Sequence, residues 1–216
     1  MSLAEGLTRE RALRIGLKAA AGALVLAALA LCGWFWFQSQ ESRGQMALAE
    51  ASTLAQQAQG PGTTAEGRER AVKALEAVVS EYPRLSAGAQ AAYQLGNLRY
   101  GAGQYSAARG AYEVALAKGA AGTVRTLAAL GIGYSWEAEK SYDKASAAYE
   151  AAARSIGAKD FLYEEALMDL ARAQELGGTP SAAVDTYKRL LREVPGTRRA
   201  PEIQSRLASL QSRAAK

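Results

Sequence analysis

The chain has 216 residues, enough for one domain with a real core or for a short repeat array with an appendage. Its 26 Lys and Arg stand against 21 Asp and Glu, a net charge of +5, and the two signs are interleaved instead of gathered into a stripe, which argues against a nucleic-acid binder. With no histidine and a single cysteine, Cys32, the chain lacks the residues for disulfides, zinc sites and Cys/His or Ser/His/Asp catalysis, so no cofactor, no metal and no enzyme activity is expected. Alanine is abundant, only 5 prolines occur, and β-branched residues are few, so the expected fold class is all-α.

Residues 1–18 read as a basic cytoplasmic tail carrying Arg9, Arg11, Arg14 and Lys18. From Ala19 to Gln40 no residue is charged, and Ala19–Phe37 reads AAAGALVLAALALCGWFWF. At about 1.5 Å per residue that run spans roughly the 30 Å hydrocarbon core of a bilayer, so residues 19–40 are expected to form one transmembrane helix. The basic flank stays inside, while Trp34, Phe35, Trp36 and Phe37 form an aromatic belt at the other interface. A cleaved leader is the rival, since Ala28-Leu29-Ala30 offers a formal cleavage site; cutting there would leave LCGWFWF as an apolar start without a home. Cys32 reads as a small apolar residue of the span.

Residues 41–216 read as a repeat domain. Met46–Ala58 is either a stalk continuing the membrane helix or the first helix of a first repeat, and Gly60-Pro61-Gly62 breaks the chain after it. Beyond that break four strings share one frame: ERAVKALEAVVSEYP from Glu69, QYSAARGAYEVALA from Gln104, SYDKASAAYEAAAR from Ser141 and PSAAVDTYKRLLREVP from Pro180. Each sets an Ala, a large residue and a further apolar residue at offsets 0, 4 and 7, one helix face: Ala71, Leu75 and Val78, then Ala108, Tyr112 and Ala115, then Ala145, Tyr149 and Ala152, then Ala183, Tyr187 and Leu190. These are expected as second helices near 69–82, 105–118, 142–155 and 180–194. Twelve residues before the leading Ala stand Gly96, Gly133 and Ala171, small enough for two antiparallel helices to approach closely. Pro83 and Pro195 fall where a second helix should stop. Residues 200–214 carry Ile203, Leu207 and Leu210 on one face and read as a terminal capping helix.

This pattern resembles the tetratricopeptide repeat, from about Gln45 to the C-terminus, although the leading alanines recur every 37, 37 and 38 residues against the 34 typical of that family. The resemblance implies that the first helices line a concave protein-binding groove. Matched residue by residue, it would expose Gln90, Tyr93, Asn97 and Tyr100 from the second unit, Leu127, Leu130, Tyr134 and Glu137 from the third, and Glu165, Met168, Arg172 and Glu175 from the fourth. Tyrosines are common in recognition surfaces, yet Tyr93, Tyr100 and Tyr134 are equally suited to packing between helices. Repeats of this family that clamp a chaperone's C-terminal carboxylate need Lys, Asn and Arg at set positions; only Asn97 matches, while Tyr93, Gly131, Glu165 and Asp169 occupy others, so that subtype is not expected. Carboxylate pairs such as Glu164/Glu165 and glycine pairs such as Gly101/Gly103 and Gly177/Gly178 read as solvated surface and inter-helix turns.

A basic tail, one helix ending in Gly33-Trp34-Phe35-Trp36 and a helical array of this length together resemble the YfgM family of bacterial inner-membrane proteins. That resemblance implies a single-pass inner-membrane protein with its repeat domain in the periplasm. It would act as an ancillary subunit of the Sec translocon and meet Sec channel subunits, a periplasmic chaperone or emerging chains. Segments such as YPRLSAGAQAAYQLGNLRYGAGQYSAARGAY also look like periplasmic repeat modules of outer-membrane assembly and cell-division coordination proteins, whose implied role is an envelope scaffold.

Overall fold

The computed structural model describes the backbone of residues 3–214 and the side chains of Lys18, Gly22, Leu24 and residues 26–212. Among the described residues every regular element is an α-helix: α1 (Leu3–Gln59), α2 (Ala65–Glu81), α3 (Ser86–Gly101), α4 (Tyr105–Ala117), α5 (Gly122–Ala138), α6 (Tyr142–Arg154), α7 (Tyr163–Leu176), α8 (Pro180–Glu193) and α9 (Ala200–Ala214).

The chain divides into residues 1–43 and a larger unit, 44–216. In the first, the backbone is helical through the whole of the predicted span. The side chains of Arg9, Arg11 and Arg14 and part of the apolar run, Ala19–Ala21, Ala23 and Val25, lie outside the described residues. Among the described residues no helix is long and apolar enough to cross a membrane. The described part of the run presents Leu24, Leu26, Leu29, Leu31 and the Trp34–Phe37 aromatics on its surface, and Cys32 is free and exposed.

The larger unit is a succession of helical hairpins, each closed by local chemistry that the sequence supplies. Thr64 caps α2 by accepting from the Gly67 N–H at 3.1 Å, satisfying a donor the helix itself cannot. Proline starts α8, where its missing N–H is harmless. Three hairpins turn with one motif: the Gly103, Lys140 and Gly178 N–H groups bond back three residues, to the Tyr100, Glu137 and Glu175 carbonyls, and the following N–H bonds back five. All three residues have positive φ. Two are glycine, and Lys140 at φ 58° is the one non-glycine described in that region.

The helices pack in two layers, with α2, α4, α6 and α8 in one and α3, α5 and α7 in the other; α3 also touches α5 directly. Leu48, Ala51, Ala55 and Ala58 of α1 are buried with Ala71, Leu75 and Val78 of α2, so residues 44–59 act as the first helix of the first hairpin and not as a free stalk. A second cluster gathers Ala89, Ala92, Ala108, Tyr112 and Ala128. A third runs from Leu130 through Tyr149, Leu167 and Tyr187 to Ile203 and Leu210 of α9. This segmentation along the chain is expected of a solenoid, in which each hairpin buries its apolar face only on its neighbours.

Candidate functional site

The small residues of the first helices determine how closely the layers meet. A Cβ on Gly96 or Gly133 would overlap the ring of Tyr112 or Tyr149, and one on Gly131 would lie 2.6 Å from Tyr112 Cζ. Tyr112 is thus held between a glycine of its own hairpin and a glycine of the next. Its ring also meets Tyr93, with centroids 6.0 Å apart, while Tyr149 meets Tyr134 edge-on at 5.5 Å.

These buried rings send their hydroxyls towards the first-helix layer. Tyr112 donates to Asn97 Oδ1 at 2.9 Å, Tyr149 to Glu137 Oε2 at 2.8 Å and Tyr187 to Glu175 Oε1 at 2.7 Å. A buried hydroxyl is costly without a partner, and each has one. The cost of placing a phenolate there pushes all three phenols up from their ordinary range: burial is the main cause, with Tyr93 adding to it for Tyr112, and Glu137 and Glu175 for the other two.

Between α5 and α7 the contacts become ionic. Arg172 donates through Nε and Nη2 to both oxygens of Glu137, at 2.8 and 2.9 Å, and through Nη1 to Asp169 at 2.6 Å. Tyr134 donates to Asp169 at 2.7 Å and to Glu165 at 3.2 Å. Burial raises the Asp169 carboxyl despite these donors, since only 4% of the residue is exposed. Burial pushes Glu137 the same way, but the Arg172 and Tyr149 bonds outweigh it and hold that carboxyl below its ordinary value. The Glu137 bond, against some burial, holds the Arg172 guanidinium above its ordinary value. Tyr100, the most exposed of the three groove tyrosines, is close enough to Glu137 and Arg172 for both charges to act on its phenol, although burial dominates the rise.

The structure brings together most of the residues the sequence points to. Tyr93, Asn97, Tyr134, Glu137 and Glu175 are half-buried in the first-helix layer, as are Gln90 and Leu127, while Tyr100, Glu165 and Arg172 are exposed. Leu130 and Met168 are a correction: at 1% and 8% exposure they belong to the core, out of reach of a partner. The rings of Tyr93 and Tyr134 pack between helices against Tyr112 and Tyr149, while Tyr100 is exposed. Sequence reasoning overlooks Asp169 as a member of the network and the hydroxyl role of Tyr149 and Tyr187. A signal for the latter exists, since each has a glutamate twelve residues earlier. In the second hairpin that place holds Tyr100, and Tyr112 reaches Asn97 instead.

Also on α5, the ring of Trp136 meets two cations: the Arg109 guanidinium is 3.5 Å and the Lys144 ammonium 4.4 Å from its centroid. Arg109 also donates to Glu139 at 2.7 Å. This arrangement ties α4, α5 and α6 together and is structural.

Residues 165–197, which run from the first turn of α7 past the end of α8, match the tetratricopeptide repeat family. No characterised protein matches the chain by sequence. Solved structures share the fold: nearly identical TPR-like repeats from Podosopora anserina (TM-score 0.59, 19% identity, 78% of this chain and 87% of the other), a MamA RS-1 double mutant (0.58, 15%, 79% and 86%) and pilF of Pseudomonas aeruginosa (0.54, 17%, 82% and 71%). The larger unit is therefore a tetratricopeptide-like solenoid. These matches establish the fold and indicate no enzymatic family.

Proposed function

We propose that the chain is a membrane-anchored adaptor that displays its solenoid in the bacterial periplasm to bind other proteins, beside the Sec translocon and periplasmic chaperones. One observation carries the binding half of this reading: the first-helix layer gathers Tyr93, Tyr100 and Tyr134 with Asn97, Glu137, Glu165 and Arg172 on one surface, the amphipathic and charged side chains that recognition surfaces favour. The anchoring half rests on the sequence, in which an uncharged apolar run from Ala19 to Phe37 follows four cations and ends in four aromatics.

The two halves separate experimentally. A reporter active only outside the cytoplasm, fused after Lys216, should be active if the anchor and its direction are right and silent if the array is cytoplasmic. Crosslinking from Tyr93 or Tyr134 in mildly solubilised membranes should return a channel subunit or chaperone. Recovery of cell-wall or outer-membrane assembly proteins instead would replace the translocon reading with that of an envelope scaffold.

A further inference from the structure

We propose that the first-helix surface takes an extended partner segment bearing a lysine or arginine, with the cationic side chain over α5 and α7 and its uncharged neighbours over α3. This rests on the reading of that surface as a protein-binding face.

Charge along the surface is graded. On α3 the groove positions are Gln90, Tyr93, Asn97 and Tyr100, all uncharged. On α5 and α7 three carboxylates, Glu137, Asp169 and Glu165, stand around one cation, Arg172. The donors of Arg172 are committed to Glu137 and Asp169, and among the described residues Glu165 receives only the Tyr134 hydroxyl, at the long distance of 3.2 Å. The patch therefore lacks positive charge, by two units when every carboxylate is ionised. Further along, Glu175 has Arg206 only at 3.9 Å. The chain as a whole carries +5, so this acidity is local to the groove and not a property of the general surface.

A cation placed there gains twice. It supplies the charge that Arg172 leaves uncompensated, and it sits beside the ring of Tyr134 or Tyr100, whose faces attract cations. An acidic segment would meet like charge at the same place, which makes the patch selective as well as attractive. The surface also sets a direction, since the neutral tyrosines of α3 favour apolar or amide contacts. A partner with its basic residue at one end fits in one orientation only.

The test uses the full chain in detergent and three fluorescent decapeptides that differ only in having Lys, Gln or Glu at two positions. Fluorescence anisotropy should rank them Lys, Gln, Glu, with at least tenfold between the ends, and the Lys peptide should lose affinity between 50 and 500 mM salt. Glu165→Gln should bring the Lys and Gln peptides closer together by threefold or more, with unchanged helical circular dichroism. Tyr100→Ala should weaken all three. Equal binding of Lys and Glu peptides, or no effect of Glu165→Gln, overturns the charge inference and leaves the groove standing if Tyr100→Ala still weakens binding. No binding of any peptide overturns the reading of the surface itself, and this inference with it.

Discussion

The ring of Tyr112 occupies the volume that a side chain on Gly131 would need, so that a Cβ there would stand 2.6 Å from Cζ. The ring cannot retreat, because Gly96 of its own hairpin is packed against the other side. Gly131→Ala should therefore cost about 1–3 kcal/mol through overpacking, even though alanine is the better helix former. Gly110→Ala, on α4 with nothing within 4 Å, should instead gain about 0.5–1 kcal/mol. Urea unfolding followed by circular dichroism distinguishes the two signs.

Lys140 holds the left-handed turn that Gly103 and Gly178 hold in the flanking hairpins. A left-handed L-residue costs about 1–2 kcal/mol, and the extra freedom of glycine in the unfolded chain returns about half of that. Lys140→Gly should raise stability by about 0.5–1 kcal/mol in the same unfolding experiment.

Arg172 serves two carboxylates at once. Arg172→Met should cost about 1–3 kcal/mol, less than for a fully buried ion pair, since 45% of the arginine side chain is exposed. Arg172→Lys should fall between, because a single ammonium cannot reproduce the fork to Glu137 together with the bond to Asp169. Melting temperatures of the three proteins at low salt give the order.

Glu137 and Asp169 should respond to acid in opposite directions. Glu137 is held below its ordinary value of 4.5, so its contribution is present above that pH and lost as the pH falls through the folded value. Asp169 is raised from 3.8, so its ionisation costs stability at neutral pH, and protonation restores it. In melts from pH 7 to pH 4, Glu137→Gln should lose less stability than the parent and Asp169→Asn should lose more. Parallel curves would show that neither carboxyl differs between folded and unfolded chains.

The fold was legible because its determinants repeat. Ala, a large residue and an apolar residue at offsets 0, 4 and 7 define the buried face of α2, α4, α6 and α8, and residues such as Ala71, Ala108, Ala145 and Ala183 are fully buried there. The site was legible only in outline. Stepping the family pattern along α5 and α7 places Leu130 and Met168 at the groove, but a helix face is about 100° wide and its edge positions rotate into the core when the next hairpin packs closely. The Glu137–Arg172 and Tyr134–Asp169 contacts join residues 35 apart, a separation fixed by how hairpins stack and invisible to any local period. Lys140 was hidden for a different reason: the turn needs a conformation, and lysine can be forced into it.

Neighbouring hairpins are joined by unlike materials. The second meets the third through an aromatic ring pressed between two glycines and through the Arg109–Glu139 pair, whereas the third meets the fourth through Glu137–Arg172, Tyr134–Asp169 and Glu150–Arg189 laid over one continuous apolar cluster. Screening ions weaken the exposed ion pairs of either joint and barely affect the ring packing and the apolar cluster beneath them. Rising ionic strength should thus loosen the polar face of the stack, most where Glu137, Glu165 and Arg172 crowd between α5 and α7, while the apolar cluster beneath keeps the third and fourth hairpins joined.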